Sequence, residues 1–406
     1  MRVQLITQLF DPENAIKGLS FVQDLARRGY EVEVVTTYPS YPGGQIYPGY
    51  RMRLMQLETI EGVRVVRLPS YVAHGRSALK RLLSYASFSA SAFFYSLFVG
   101  RKPDVIYSYF PPMVGGVACA ILGGIHRRPF IYDVQDLWPE ALVATGMLRN
   151  PRGVSLIERC VGWVYKRASA IVVLSEGYKR TLVAKGVPES KIHRIYNWCD
   201  ESRLKRSDPS HGSTSSFDII YAGNLGAAQA LGSVIQAAQL LQQDGERGIR
   251  FVFIGDGIEG QRLKEQAASL GLENVEFRGS VPPEAIGAEL SKADALLVHL
   301  ADDPVFEITV PSKTQAYMAM GKPILMAVAG ESAEIIQKAG AGMIARPCTP
   351  ASIAETALQM ARSTPEQLAV FGAAAEGYYR ENMSQKNGVE HVSRILTLVT
   401  EKFGHA

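Results

Sequence analysis

The chain alternates short apolar runs with helical patterns, stops, and then does so again, and this repetition limits the folds open to it. Strand-like runs at 3–7, 31–37, 63–68, 105–107, 130–132, 170–174 and 192–195 are joined by longer segments, among them 19–28, a helical pattern closed by Gly29. Strand–helix–strand units at this spacing build a parallel, doubly wound sheet. A polar stretch at 202–216 (SRLKRSDPSHGSTSS) reads as a linker. The pattern restarts beyond it, with strand-like runs at 217–221, 251–254, 275–277, 295–299, 323–327 and 342–345 and a helix at 231–242. A chain of 406 residues, 47% of them apolar, can bury two cores. The expected class is therefore α/β, with two doubly wound domains whose C-terminal sheet edges face one another across a cleft. Open sheets bind ligands at that edge.

Charge is distributed unevenly. Residues 41–102 hold nine bases (Arg51, Arg53, Arg64, Arg67, Arg76, Lys80, Arg81, Arg101, Lys102) against Glu58 and Glu61. That stretch is +7, so the rest of the chain is −3 of the net +4. No recognised nucleic-acid motif accompanies the charge, and an anionic membrane surface is the better partner. Inside the stretch, residues 82–100 (LLSYASFSASAFFYSLFVG) carry no charge. Nineteen residues nearly reach the roughly 20 needed to span a bilayer. A crossing, however, would separate strands that must share one sheet. The segment is either a core helix or one lying against lipid.

Four widely spaced cysteines (Cys119, Cys160, Cys199, Cys348) show no metal or disulfide spacing and read as reduced thiols. The acidic pair Asp302-Asp303 lacks a third ligand nearby and reads as a solvated loop. The sequence opens directly on a strand, so a secretory leader is not expected.

The most chemically suggestive segment is 307–323 (EITVPSKTQAYMAMGKP). Pro311 and Ser312 open a helix whose first N–H groups are free to hold an anion, and Lys313 adds a full charge there. Glu307, set among Val305, Phe306 and Ile308, should face a cleft or a solvated edge, because a buried unpaired carboxylate costs several kcal/mol.

Placed on these elements, a series of short motifs resembles glycosyltransferase family 4, of GT-B fold, and its WbuB-like branch from surface-polysaccharide pathways. In order they are Phe10-Asp-Pro-Glu, Asp133-Val-Gln-Asp136-Leu-Trp138-Pro139, Ser175-Glu176, Asn197-Trp-Cys-Asp200, Tyr221-Ala-Gly-Asn224, Gly255-Asp256-Gly257, Pro311-Ser-Lys313 and Gly321-Lys-Pro323. The resemblance implies two Rossmann-like domains. An acceptor-side domain covers 1–200, a linker 201–216, a nucleotide-sugar domain 217–380, and a C-terminal helix at 381–406 packs back on the first. It implies a retaining transferase that uses a UDP-sugar and requires no metal or cofactor.

The resemblance also assigns roles. Lys313 grips the donor diphosphate, Glu307 holds donor-sugar hydroxyls, and Asp136 orients acceptor or donor hydroxyls. Gln315 stands where the family has an acid that binds ribose, so it can accept a hydrogen bond without charge assistance. Asn224 and Gln229 replace two phosphate-binding bases, which shifts that task toward Lys313 and toward Lys17 beside Gly18 of the glycine loop. Pro311, Ser312, Gly255 and Asp256 line the donor, while Arg278 and Val281 lie near the base. Trp138 and Glu140 fall on the acceptor side. The expectation is transfer of a hexose, N-acetylated or deoxy, to a lipid-linked saccharide by a cytoplasmic protein held peripherally on the inner face of the plasma membrane through 41–102. A GT-B-fold epimerase and a non-catalytic scaffold are the alternatives.

Overall fold

The computed structural model describes residues 1–41, 43–72, 78–109, 113–144, 148, 150–204 and 216–404. Arg76 and most of the linker expected at 201–216 lie outside these. The chain forms two compact units, Met1–Tyr196 with Gly388–Ala406, and Asn197–Asn387.

The first unit holds an eight-stranded sheet built from β1 (Arg2–Ile6), β2 (Glu31–Thr37), β3 (Gln56–Ile60), β4 (Val63–Leu68), β5 (Val105–Tyr109), β6 (Phe130–Val134), β7 (Ala170–Val173) and β8 (Ile192–Arg194), in the order β3-β4-β2-β1-β5-β6-β7-β8. Every residue of β5, β6 and β7 is buried, as expected for parallel strands covered on both faces. The edge strand β3 was not expected. It pairs antiparallel with β4 through a two-residue turn, Glu61-Gly62, in which both residues have positive φ (46° and 85°). That is the hairpin geometry matching strand twist.

The helices of this unit are α1 (Leu19–Arg27), α2 (Ala78–Phe98), α3 (Met113–His126), α4 (Glu140–Ala144), α5 (Pro151–Arg167) and α6 (Glu176–Ala184). Asn150 caps α5 by accepting from Arg152 N–H, and Ser175 caps α6 through Tyr178 N–H. Right-handed crossovers put α2, α3, α5 and α6 on one face of the sheet and α1 on the other.

In the second unit β9 (Phe217–Ala222), β10 (Ile249–Ile254), β11 (Val275–Gly279), β12 (Ala295–His299), β13 (Ile324–Ala327) and β14 (Gly342–Ile344) form an all-parallel sheet ordered β11-β10-β9-β12-β13-β14. The helices are α7 (Gly232–Gln243), α8 (Gly260–Ser269), α9 (Ile286–Ser291), α10 (Pro304–Glu307), α11 (Ser312–Ala319), α12 (Glu331–Ala339), α13 (Pro350–Ala361) and α14 (Pro365–Asn382). α15 (Gln385–Gly404) carries the chain back into the first unit, where Tyr30 Oη hydrogen-bonds Ser393 Oγ at 2.7 Å. The core includes Ile219, Val234, Ile235, Phe253, Leu297 and Ile353. Strand order reverses between β9 and β12, and a sheet of this kind leaves its ligand crevice outside the C-terminal ends of those two strands.

Candidate functional site

The loops that follow β9, β10 and β11 are stitched together by backbone hydrogen bonds. Gly223 N–H donates to Ile254 O (2.8 Å), Leu225 N–H to Asp256 O (2.9 Å) and Gly255 N–H to Gly279 O (2.7 Å). The contact is too close for side chains. A Cβ on Gly255 (φ 137°) would stand 2.0 Å from Gly223 O, and one on Gly257 2.5 Å from Leu225 O. Asp256 is exposed and its Oδ1 accepts from Gly257 N–H (2.7 Å), so its carboxylate closes the turn. Asn224 Nδ2 donates to Gln229 Oε1 (3.3 Å), which also accepts from Gly226 N–H (3.1 Å). The two amides hold each other and shape the loop.

Lys313 rises into this cluster from the first turn of α11. Four residues on, Tyr317 fixes that helix to the end of β9: its hydroxyl accepts from Ala222 N–H (2.8 Å) and donates to Ala222 O (3.2 Å). Residues four apart share a helix face, so this anchor sets the position of Lys313. The ammonium lies 4.7 Å from the centroid of the Tyr221 ring, and a Cβ on Gly223 would fall 2.7 Å from Nζ. Among the described residues no carboxylate pairs with it, and burial pulls its pKa down to about 8. Desolvation disfavours the charged form when no counter-charge compensates. A half-buried cation with no carboxylate partner among the described residues, beside open backbone loops, is suited to receive an anion.

Gln315 does not face this cluster. It is buried, and its amide nitrogen is oriented to donate to the carbonyls of Pro311 (2.7 Å) and Ser312 (3.1 Å). Its side chain packs against its own helix turn, with the nitrogen on the turn's carbonyls. Pro311 is half-buried and Ser312 exposed at the mouth of α11.

Glu307 ends α10, which Asp303 caps by accepting from Val305 N–H (2.9 Å). The Glu307 side chain is exposed, while its backbone is gripped from behind. A Cβ on Gly330 (φ 72°) would lie 2.2 Å from Glu307 O, and Ser332 Oγ donates to Thr309 O (2.9 Å). Gly330 and Ser332 were missed in the sequence, although a glycine at the entrance to α12 was a signal for close approach.

His299, at the end of β12, was also missed. Its Nδ1–H donates to Gln229 O (2.7 Å), and Nε2 faces Ser233 Oγ (3.1 Å) and accepts from Cys348 N–H (3.3 Å). Burial lowers its pKa to about 4, so a neutral ring joins three elements. The Arg278 guanidinium is engaged by Glu276 (2.7 Å) and Glu289 (3.2 Å), and Val281 is half-buried.

In the first unit the expected positions lie at the C-terminal edges of β1 and β6. Lys17 is fully buried and forms an ion pair with Asp133, also fully buried. Asp133 accepts in addition from Tyr107 Oη (2.5 Å) and Gln135 Nε2 (2.6 Å). The role expected for Lys17, on a donor phosphate, is therefore corrected: its ammonium is committed to an internal carboxylate. Gly18 likewise makes room for protein. Asp11 Oδ2 accepts from Leu19 N–H at 2.6 Å to cap α1, and a Cβ on Gly18 would stand 2.4 Å from that oxygen.

Asp136 keeps its side chain exposed, while the protein around it lifts its carboxyl above the ordinary value by desolvation; Tyr85 of α2 lies close enough to feel its charge. Trp138 precedes a cis Pro139 and lines an open groove of about 270 Å³ with Tyr165, Lys166 and Lys185. Glu140 heads α4 and pairs with Lys185.

The basic stretch is partly structural. Arg67 is fully buried, paired with Glu58 and donating to the carbonyls of Thr37 and Asp11, while Arg64 pairs with Glu33 and Arg101 with Glu31. Among the described residues no helix is long and apolar enough to cross a membrane.

Two family models match consecutive parts of the chain: the glycosyl transferase 4-like domain over residues 19–198 and the glycosyl transferases group 1 domain over residues 216–363. With two parallel-sheet units, the chain is a glycosyltransferase of the GT-B type. It is 27% identical over 321 residues, 74% of this chain and 76% of the relative, to WcaI of Escherichia coli (strain K12), whose name assigns it provisionally to colanic acid biosynthesis as a glycosyl transferase. Sucrose-phosphate synthase from Thermosynechococcus elongatus shares the fold with a TM-score of 0.72 at 13% identity, covering 99% of both chains. HepE of Anabaena, solved in complex with UDP and glucose, does so with a TM-score of 0.64 at 17% identity, covering 98% of this chain and 99% of its own.

Proposed function

We propose that this protein is a retaining glycosyltransferase of the WbuB-like branch. It moves a hexose, N-acetylated or deoxy, from a UDP-sugar to a lipid-linked saccharide during assembly of a surface polysaccharide. The observation that carries this reading is Lys313: a desolvated ammonium with no acidic partner among the described residues, at the mouth of α11 and beside Gly223. The polysaccharide name of the WcaI relative and the UDP complex of HepE support the same reading.

The second unit holds the donor and the first handles the acceptor. The sugar C1–O bond to the diphosphate breaks while the acceptor oxygen bonds to C1 on the same face, and the leaving phosphate oxygen takes the acceptor proton. No protein nucleophile, metal or cofactor enters. Lys313 and the first N–H groups of α11 neutralise the charge growing on the leaving group. The exposed carboxylate of Glu307 receives donor-sugar hydroxyls, and Asp136 orients the acceptor hydroxyl near Trp138 and Glu140. Asn224, the Gly255-Asp256 turn, Arg278 and Val281 border the nucleotide. The protein works peripherally on the inner face of the plasma membrane.

Calorimetric titration of UDP into Lys313→Ala tests the central role. Loss of one charge-assisted contact should weaken binding about tenfold to a hundredfold, and unchanged affinity would refute it. Release of UDP on mixing donor and lipid-linked acceptor separates transfer from mere binding.

A further inference from the structure

One face of the first unit is apolar where solvent should have selected polar residues. α3 packs between α2 and α5 on the same side of the sheet, and its outward residues include Ile121 and Ile125, with no charged side chain along the helix before His126. Phe94 and Phe98 of α2 stack outward beside it, ring centroids 6.3 Å apart at 9°, with Phe98 75% exposed. On α5, Leu156 and Trp163 are exposed in one stripe. The second unit, of similar size, exposes only three large apolar residues among those described, Ile258, Ile344 and Val370. Scattered exposure of that kind is ordinary, whereas a contiguous apolar face marks an interaction surface.

The charge on this face identifies the partner. In the stripe of α5, Arg152, Arg159 and Arg167 alternate with Leu156 and Trp163, and the Arg167 guanidinium lies 5.4 Å from the Trp163 ring. Counted over α2, α3 and α5, six bases (Lys80, Arg81, Arg152, Arg159, Lys166, Arg167) face one acid, Glu158. Guanidinium groups interleaved with leucine and tryptophan suit the boundary between phosphate headgroups and acyl chains, where long cationic side chains keep their charge at the headgroups while their stems lie on apolar surface.

We infer that the α2–α3–α5 face is the docking surface for an anionic lipid bilayer and that α5 supplies its electrostatic stripe. The inference rests on the reading that the acceptor is membrane-held; of residues 41–102 it keeps α2 and carries the main electrostatic contact beyond that stretch to α5, because Arg64, Arg67 and Arg101 are already paired internally. The outward apolar side chains enter the interface without crossing it.

Flotation with vesicles of phosphatidylcholine alone, and of equal parts phosphatidylglycerol and phosphatidylcholine, tests this on the full chain. The wild type should bind the anionic vesicles and lose binding as salt rises. The variant Arg152→Gln/Arg159→Gln/Arg167→Gln should bind them on the order of a hundredfold more weakly, from roughly fivefold per base, with an unchanged circular-dichroism melt. Arg51→Gln/Arg53→Gln should lose less. Brominated lipid should quench Trp163 emission in the wild type, with Trp163→Phe as the control. If the Arg51/Arg53 variant loses binding while the α5 variant keeps it, the inference is overturned and the membrane reading stands. If the wild type binds neither vesicle, both fall. If it sediments instead as a dimer that the α5 variant dissociates, the face meets a second copy and the inference is overturned.

Discussion

Lys17 in the first unit and Lys313 in the second both lie near the C-terminal edge of a parallel sheet and both sit over a tyrosine ring, at 5.3 Å from Tyr109 and 4.7 Å from Tyr221. Their surroundings differ in one respect. Lys17 meets the carboxylate of Asp133, itself held by Tyr107 and Gln135, and the pair is closed to solvent. Lys313 meets no acid among the described residues, and burial alone pulls it down to about 8. A displacement of that size corresponds to roughly 3 kcal/mol against the charged form. The first lysine is a completed internal pair; the second leaves a charge that an incoming anion would satisfy.

The comparison breaks most visibly at Lys17. Lys17→Met strands a buried carboxylate, which should lower the stability of the first unit by about 3–5 kcal/mol. Adding Asp133→Asn should recover much of that loss, whereas Lys313→Met should leave stability unchanged or raise it. Differential scanning calorimetry of the four proteins decides the matter. A Lys17→Met protein that melts like the wild type would show that the pair is not structural.

Why the two lysines could not be told apart in the sequence is a matter of partners. The runs that became β5, β6, β7, β12 and β13 were legible because strands buried on both faces must be apolar throughout. The edge strand β3 was not, since Gln56 and Glu58 interrupt its apolar pattern and only the Glu61-Gly62 turn betrays the hairpin. The site followed the same rule. Lys313 was legible because its surroundings, Pro311 and a helix start, are local. Asp133 lies 116 residues from Lys17, so nothing near Lys17 announces its partner. The two short loops that press Gly255 against Gly223 were visible as glycines, but their mutual contact was not.

Gln315 gives a smaller effect. Gln315→Glu would place a carboxylate where the amide nitrogen now donates to the carbonyls of Pro311 and Ser312. Two donated bonds are exchanged for acceptors facing acceptors, which should destabilise the second unit by about 1–3 kcal/mol without tightening UDP binding. Thermal melting and UDP titration read the two effects separately. Tighter UDP binding with an unchanged melt would show that the position faces the nucleotide after all.

The last expectation concerns pH and returns to Lys313. Its folded pKa, about 8, lies below the ordinary lysine value of 10.5. Between those values the unfolded chain holds a proton that the folded chain has released, so the stability of the unliganded protein should rise with pH across that window. UDP binding should behave oppositely, because it needs the ammonium. The terminal phosphate, with a second pKa of about 6, is largely ionised by about pH 7, so the phosphates contribute little change above that. Affinity should be flat near pH 7 and then fall about tenfold per pH unit once pH exceeds the pKa of Lys313. Lys313→Arg, which stays charged throughout, should bind UDP with a flat profile over the same range. A wild-type affinity that does not change between about pH 7 and pH 9 would mean that the Lys313 ammonium is not what meets the diphosphate.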